Sequence, residues 1–281
     1  YIVEEGKKRN IPSCLITFDP NPFYVLSDKP DSINLQSLDE KLETLKEIGL
    51  DIVLIIPFDK EFSLMSAQMF ADTVLKDLFN PTLISVGTNH YFGHKKEGDF
   101  EFLKAFCSDN NIELHTPVMR EHMGSTISSS LIRSLILDGN SSKVYDYLGR
   151  FYGFNATVVS GSNRGKTMNY PTANFIPTFK NQLLPSTGVY LTRVFLDGEC
   201  YFGMMNAGVR PTFNEKKFVM EVHILSDKFG HLYDKNFYIE FLDKIRDEKK
   251  FDSKELLIKQ IEKDKEVCIE LIDTFKEKYE I

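Results

Sequence analysis

Short apolar runs alternate with helical repeats along the first half of the chain. Apolar residues three or four positions apart predict a helix that begins at a capping box formed by Ser37 and Glu40 and ends at Gly49. Further helices are predicted over residues 66–78 and 98–107. Continuous apolar runs predict strands at residues 13–18, 51–57, 82–86 and 112–118. Because strands and helices alternate, we predict an α/β domain with helices on both faces of a parallel sheet.

The pattern changes beyond residues 149–153, which follow a short predicted helix at 141–148. Asp197-Gly198, between two of the later apolar runs, is a strong signal for a β-hairpin. The β-rich runs occupy residues 156–160, 189–196, 200–206, 218–225 and 237–241. Several antiparallel strands at this spacing predict a small closed barrel.

The chain is long enough for two domains of ordinary size, with 281 residues. We assign residues 1–148 to the α/β domain and 149–281 to the barrel, with one long amphipathic helix predicted from Ser253 onward. The first residue is Tyr1, and the first ten residues read like the end of a helix. We therefore expect a further segment to precede them.

Composition narrows the possible partners and locations. A net charge of −7 with no long basic run argues against nucleic acid as a main partner, so an anionic ligand must be held by local groups. No apolar run approaches the roughly 20 residues of a membrane helix. The four cysteines are far apart, which predicts reduced thiols in a cytoplasmic protein and no structural zinc site.

A glycine-rich basic segment follows the first run of the barrel. Gly161 and Gly165, with Arg164 and Lys166, are suited to hold phosphate through backbone N–H groups and cations. The segment is not a Walker A loop, because the spacing of its glycines is too short and Pro171 interrupts the helix that motif requires. It is either a phosphate loop that opens no helix or a basic surface loop before a strand.

Oxygen-bearing side chains follow this segment. Thr172 and Asn174 offer a hydroxyl and an amide oxygen, which are ligands that Mg²⁺ accepts beside nucleotide phosphates. Glu221 alternates with Met220 and Val222, so it lies on the opposite strand face and is either a solvated residue or a general base at a cleft. Arg210, before a proline, is either a phosphate clamp or a turn residue.

Hydroxyls also open a predicted helix in the first half. Ser128, Ser129 and Ser130 precede Arg133 by about one turn, an arrangement that can bind phosphate or act as an ordinary helix N-cap. A second loop, at residues 87–93, follows a predicted strand, where ligands of parallel sheets bind. The histidines in this half show no metal-ligand spacing.

Taken together, these motifs resemble the bacterial bifunctional riboflavin kinase/FAD synthetase family over nearly the whole chain. The most specific matches are Gly161-x-x-Arg164-Gly165, Pro171-Thr172-Ala173-Asn174, Gly188-Val189-Tyr190, Asn206-x-Gly208-Val209-Arg210-Pro211-Thr212-Phe213 and Glu221-Val222-His223. The resemblance implies a six-stranded kinase barrel that transfers the ATP γ-phosphate to riboflavin and gives FMN. It also implies that Thr172 and Asn174 engage Mg²⁺ and nucleotide phosphates, that Glu221 is the base, and that Gly161–Gly165 closes over ATP.

The first half resembles the family's Rossmann-like FMN adenylyltransferase module, which makes FAD from FMN and ATP. Matches lie at Thr17-Phe18-Asp19-Pro20, Phe92-Gly93, Gly98-Asp99 and Ser128-Ser129-Ser130-x-Ile132-Arg133. The resemblance implies that the hydroxyls and Arg133 hold the ATP phosphates. It also places Asp19, Asn21, Asn89 and Phe92 at the flavin or nucleotide site. The family's opening strand and His-x-Gly-His loop have no counterpart here, so we expect a truncated sequence.

Several positions depart from the family pattern. Asn21 replaces the usual His, Asn89-His90 the usual Asp-Phe, and Ser130-Leu131 the usual Thr-Arg, while Asn169 replaces a Gly of the kinase loop. The first three favour an alternative in which only the kinase is active and the first half is a degenerate scaffold. A third hypothesis is a flavin- or nucleotide-sensing module without turnover. We expect a monomer or weak homo-oligomer.

Overall fold

The computed structural model describes residues 1–27, 33–118, 121–122, 124–160, 170–211, 216–226 and 235–279. These residues divide into two compact units. The first comprises Tyr1–Ser32 and Leu38–Glu121, and the second comprises Ile33–Ser37 and His122–Ile281. The division between residues 148 and 149 stays a prediction for the functional domains.

The first unit contains the predicted alternation of strands and helices. Its strands are β1 (Cys14–Asp19), β2 (Ile52–Pro57), β3 (Leu83–Ser85) and β4 (Glu113–His115). Its helices are α1 (Ile2–Arg9), α2 (Pro22–Leu26), α3 (Leu38–Glu47), α4 (Ala67–Phe70), which continues as a π-helix over Ala71–Phe79, and α5 (Phe100–Asp109). Short 3₁₀ turns lie at Phe62–Leu64 and His94–Lys96. Strand β1 pairs with β2 and β3 pairs with β4, in both cases in the parallel sense that the pattern predicts.

Within the described residues these strands form two separate pairs instead of one continuous sheet. A largely apolar cavity of about 1180 Å³ is lined by residues of both β1 and β3. Strand side chains that a parallel sheet ordinarily buries on both faces are partly exposed, for example Leu15 at 37% and Ile55 at 36%. The fully buried part of this unit is consequently small and centres on Ala71, Leu103, Phe106 and Cys107.

The second unit contains a closed barrel in the order β10-β11-β8-β7-β12-β9, with every neighbouring pair antiparallel. The six-stranded barrel is therefore confirmed. Its strands are β7 (Tyr152–Val159), β8 (Ala173–Pro177), β9 (Gly188–Leu196), β10 (Glu199–Pro211), β11 (Lys216–Ile224) and β12 (Asn236–Arg246). The remaining elements are the short strands β5 (Glu121–His122), which spans the boundary between the units, and β6 (Ser125–Thr126), and the helices α6 (Ser129–Leu137), α7 (Ser141–Leu148) and α8 (Lys254–Tyr279).

The predicted hairpin joins β9 to β10. Leu196 pairs with Glu199, which leaves Asp197 and Gly198 as a two-residue turn. Both turn residues have positive φ, 53° and 85°, the conformation that matches the twist of the two strands and that Asp-Gly readily adopts. This prediction is confirmed.

Two hydrophobic clusters hold the second unit together. Alternate residues of each strand fill the barrel, including Met220, Val222 and Ile224 of β11, and Ile132 and Val144 of the preceding helices join the same cluster. The outer face of the barrel packs against α8 through a second cluster that includes Phe151, Leu191, Leu242, Cys268 and Phe275. Among the described residues, no helix is long and apolar enough to cross a membrane.

Candidate active site

Polar residues form a row across three adjacent barrel strands. Glu221 of β11 lies opposite Asn174 of β8 on one side and opposite Asn206 of β10 on the other. Directly opposed residues in antiparallel strands point to the same sheet face, and that face is opposite to the one carrying Met220 and Val222. Glu221 therefore lies on the outer surface of the barrel, as strand alternation predicts, and it is partly buried there.

The carboxylate of Glu221 is contacted at both oxygens. The Thr172 hydroxyl donates to Oε2 over 3.3 Å, and Asn206 Nδ2 approaches Oε1 within 3.5 Å. These contacts fix the carboxylate next to the hydroxyl that the sequence marks as a metal ligand. A carboxylate held in this way can accept a proton from a hydroxyl placed beside it. Of the residues predicted for the kinase, Thr172, Asn174 and Glu221 are thus brought together.

His223 lies two residues beyond Glu221 on the same face of β11. Its Nδ1 is 2.9 Å from the carbonyl oxygen of Pro171, and its ring meets the Tyr170 ring edge-on at 5.4 Å between centroids. Burial lowers the pKa of His223, the Pro171 carbonyl opposes this shift, and the nearby Lys265 adds to it. His223 and Asn206 both belong to the family motifs in the sequence, but those motifs assign neither residue a role. The two-residue spacing from Glu221 is a sequence signal that places His223 on the same strand face, whereas the pairing of Asn206 with Glu221 is visible only in the structure.

Other predicted kinase residues lie wholly or partly outside the described residues. Gly161, Arg164, Gly165, Lys166 and Asn169 lie outside the described residues. Arg210 is part of β10, opposite Lys217, and its side chain also lies outside the described part. Within the described part, Thr172 and Asn174 lie beside Glu221 and offer a hydroxyl and an amide oxygen, which are oxygens of the kind that Mg²⁺ accepts, so the residues present fit this ion.

Two loops of the first unit carry the residues predicted for a flavin or nucleotide. Asp19 ends β1, and the Asn21 side chain accepts a hydrogen bond from the Phe23 N–H over 3.0 Å, which caps α2. Asn89 and Phe92 lie in the loop after β3, where the Phe92 ring packs against Phe70 and Phe102. Both loops reach the cavity of this unit through Phe18, Pro22, His90 and Phe92.

The serine run begins α6 in the second unit. Ser128 is the N-cap, with its hydroxyl accepting a hydrogen bond from the Leu131 N–H over 3.2 Å. Ser129 and Ser130 are exposed, and Arg133 is half-buried one turn further along. The ordinary N-cap interpretation is therefore confirmed for Ser128, and phosphate binding by this segment stays a prediction.

Replacing Ser128 by Ala tests the cap. We expect the free energy of unfolding to fall by about 1 kcal/mol, because a helix N–H loses its partner. Ser129→Ala is the matched control and should change stability by less than about 0.5 kcal/mol. Urea titrations followed by circular dichroism measure both, and equal stabilities of the two variants would contradict the assigned cap.

Comparison with known proteins identifies the family. Residues 1–131 match the FAD synthetase family, and residues 148–272 match the riboflavin kinase family. Over 262 residues the chain is 33% identical to the bifunctional riboflavin kinase/FMN adenylyltransferase of Escherichia coli, which covers 93% of this chain and 83% of that protein. The chain belongs to this family.

Another relative supports membership of the riboflavin kinase/FMN adenylyltransferase family. The Listeria monocytogenes protein of the same name is 32% identical over 271 residues, or 94% of this chain and 85% of that protein. A solved structure titled as a macrolide-efflux protein from Streptococcus pneumoniae superposes with a TM-score of 0.86 at 31% identity, covering 94% of this chain and 86% of that one. The predicted family is thus confirmed, together with the fold class.

Proposed function

We propose that the barrel transfers the γ-phosphate of ATP to riboflavin and gives FMN, and that the FAD synthetase half converts FMN and ATP into FAD and diphosphate. Membership of a family whose relatives are named for both activities supports the two reactions. The observation that carries the kinase assignment is the polar row in which Glu221 contacts Thr172 beside Asn174. A pure sensing module has no need for a base fixed in this position.

In the proposed reaction, Glu221 accepts the proton of the ribityl 5′-hydroxyl. The hydroxyl oxygen then forms a bond to the γ-phosphorus while the bond to the β–γ bridging oxygen breaks, and ADP leaves. Asn206 and Thr172 orient the carboxylate through their contacts with its two oxygens. Positioning and neutralisation of charge are the main contributions that an enzyme makes to phosphoryl transfer.

Thr172 and Asn174 are the residues we assign to Mg²⁺ and the ATP phosphates. Their oxygens and the Glu221 carboxylate lie on one face of neighbouring strands. When bound, Mg²⁺ neutralises phosphate charge that develops during transfer. Gly161, Arg164, Gly165, Lys166 and Arg210 complete the proposed phosphate and flavin contacts.

For the adenylyltransferase we assign the ATP phosphates to Ser128, Ser129, Ser130 and Arg133. Asp19, Asn21, Asn89 and Phe92 are assigned to the flavin or nucleotide. The match of residues 1–131 to the FAD synthetase family supports an adenylyltransferase over the kinase-only alternative. A cytoplasmic location and a monomeric or weakly associating chain remain part of the proposal.

Thr172→Val tests the kinase site. The change keeps the branched shape and removes the hydroxyl, so we expect kcat/KM for MgATP to fall about 10- to 100-fold, the loss typical of a hydrogen bond or ligand to a charged group. The matched control is Thr178→Val, because the Thr178 hydroxyl bonds the Asn155 carbonyl at an exposed position outside the polar row.

Steady-state kinetics with varied MgATP at saturating riboflavin measure both threonine variants. The control should retain activity within about twofold. Equal activities of the two variants would contradict the role of Thr172.

A further inference from the structure

We propose that His223 is a positioning residue of the kinase site, which holds the Pro171 carbonyl and thereby places Thr172 against MgATP. This inference rests on the proposed role of Thr172. It assigns to His223 a contribution that acts through the backbone of its neighbour, without contact to substrate.

The contact between His223 and Pro171 has a defined direction. Because a carbonyl oxygen can only accept, the Nδ1 atom at 2.9 Å must carry the hydrogen, which fixes the tautomer of the ring. The ring is half-buried and packs edge-on against Tyr170, so its orientation is restricted from a second side. His223 therefore offers a single oriented donor to the residue before Thr172.

The backbone at Pro171 is stabilised by a side-chain donor because the regular pairing of its strand ends nearby. Within the described residues, the pairing between β8 and β11 runs from Phe175–Met220 to Ala173–Val222 and ends there. Pro171 has no N–H and cannot extend the ladder as a donor. The His223 ring thus supplies, from a side chain, a hydrogen bond just beyond the end of the regular strand pairing.

Strand β11 consequently fixes two consecutive residues, Pro171 and Thr172. Glu221 contacts the Thr172 hydroxyl, and His223 binds the carbonyl of Pro171. Because Glu221 and His223 are two positions apart on the same face of β11, the strand sets the position of the base and of Thr172 together. Small displacements of groups that orient a reacting phosphate are costly for turnover.

The test compares His223→Asn with His223→Leu. The amide nitrogen of Asn lies as many bonds from the backbone as Nδ1 and can keep the donor, whereas Leu has the same branched shape without one. We expect the Asn variant to stay within about threefold of the unmodified chain in kcat/KM for MgATP. The Leu variant should lose about tenfold, with its KM for riboflavin unchanged and its melting temperature close to that of the Asn variant.

Repeating the pair in a Thr172→Val background separates this inference from the proposed function. If His223 acts through Thr172, the difference between Leu and Asn disappears there. Equal behaviour of Leu and Asn in the unmodified background, a parallel rise of both KM values, or a difference that persists in the Thr172→Val background would each overturn the role of His223. The proposed kinase site is tested separately by Thr172→Val alone. If this variant keeps an unchanged kcat/KM for MgATP, the proposed kinase site itself is wrong.

Discussion

Replacing Glu221 by Gln should lower the rate of FMN formation by about 10²- to 10⁴-fold, the usual contribution of a positioned general base. The amide keeps the size of the side chain and a hydrogen-bonding oxygen, but it cannot accept the proton of the attacking hydroxyl. Glu221 lies on the outer face of β11 and contributes nothing to the barrel interior, so the substitution should leave the fold unchanged. We therefore expect riboflavin binding to survive. The measurement is kcat under saturating riboflavin and MgATP, with flavin binding followed by fluorescence.

Glu199→Gln is the matched control for this substitution. Glu199 begins β10 on the same barrel and is exposed, so the same change of charge there should leave kcat within about twofold. An unchanged rate in Glu221→Gln would contradict the role of Glu221 as the base and would favour its interpretation as a solvated strand residue. A loss of flavin binding in parallel with rate would point to a structural role.

The second large effect concerns the attachment of α8 to the barrel. Asp264 is 2% exposed and accepts hydrogen bonds from Arg246 Nε at 2.9 Å and Nη2 at 2.7 Å. Replacing Asp264 by Ala leaves the guanidinium partly buried without this partner, so we expect the free energy of unfolding to fall by about 3 kcal/mol. Urea unfolding followed by circular dichroism measures this change.

Asp273→Ala on the same helix is the control for the Asp264 prediction. The Asp273 side chain is 84% exposed and its pair with Lys276 spans 4.0 Å, so its loss should cost less than about 1 kcal/mol. Helix α8 also brings Lys265 near His223. Because α8 lies beside the proposed kinase site, we expect loosening of this helix in Asp264→Ala to impair kinase turnover as well. Equal stabilities of the Asp264→Ala and Asp273→Ala variants would contradict the anchoring role of the Arg246 pair.

Local patterns in the sequence predicted most elements of the barrel. Five of its strands read as β-rich runs, and Asp197-Gly198 correctly marked a hairpin. Strand β8 was not among those runs, because Ala173–Pro177 is short and contains Asn174 and Pro177, which disfavour strands. Its place beside β11 depends on pairing between residues far apart in the chain, which no local pattern shows.

The candidate site likewise combines features that local patterns predict with contacts that depend on long-range strand pairing. Alternation predicted which face of β11 carries Glu221, because that property depends on adjacent residues alone. The contacts of Glu221 with Thr172 and Asn206 follow from the registers of three strands. In the first unit, alternation predicted parallel strands, whereas their arrangement in two pairs around a cavity is a property of long-range packing. The roles of Gly161, Arg164, Gly165 and Lys166 stay predictions.

The kinase assignment is tested most directly by incubating the purified chain with riboflavin, ATP and Mg²⁺ and separating the flavins by chromatography. We predict that FMN and FAD together form in an amount equal to the ADP released, that their formation requires the divalent cation, and that Glu221→Gln abolishes most of it. Riboflavin that remains unconverted while binding tightly to the unmodified chain would contradict the kinase assignment and would favour a flavin-sensing module instead.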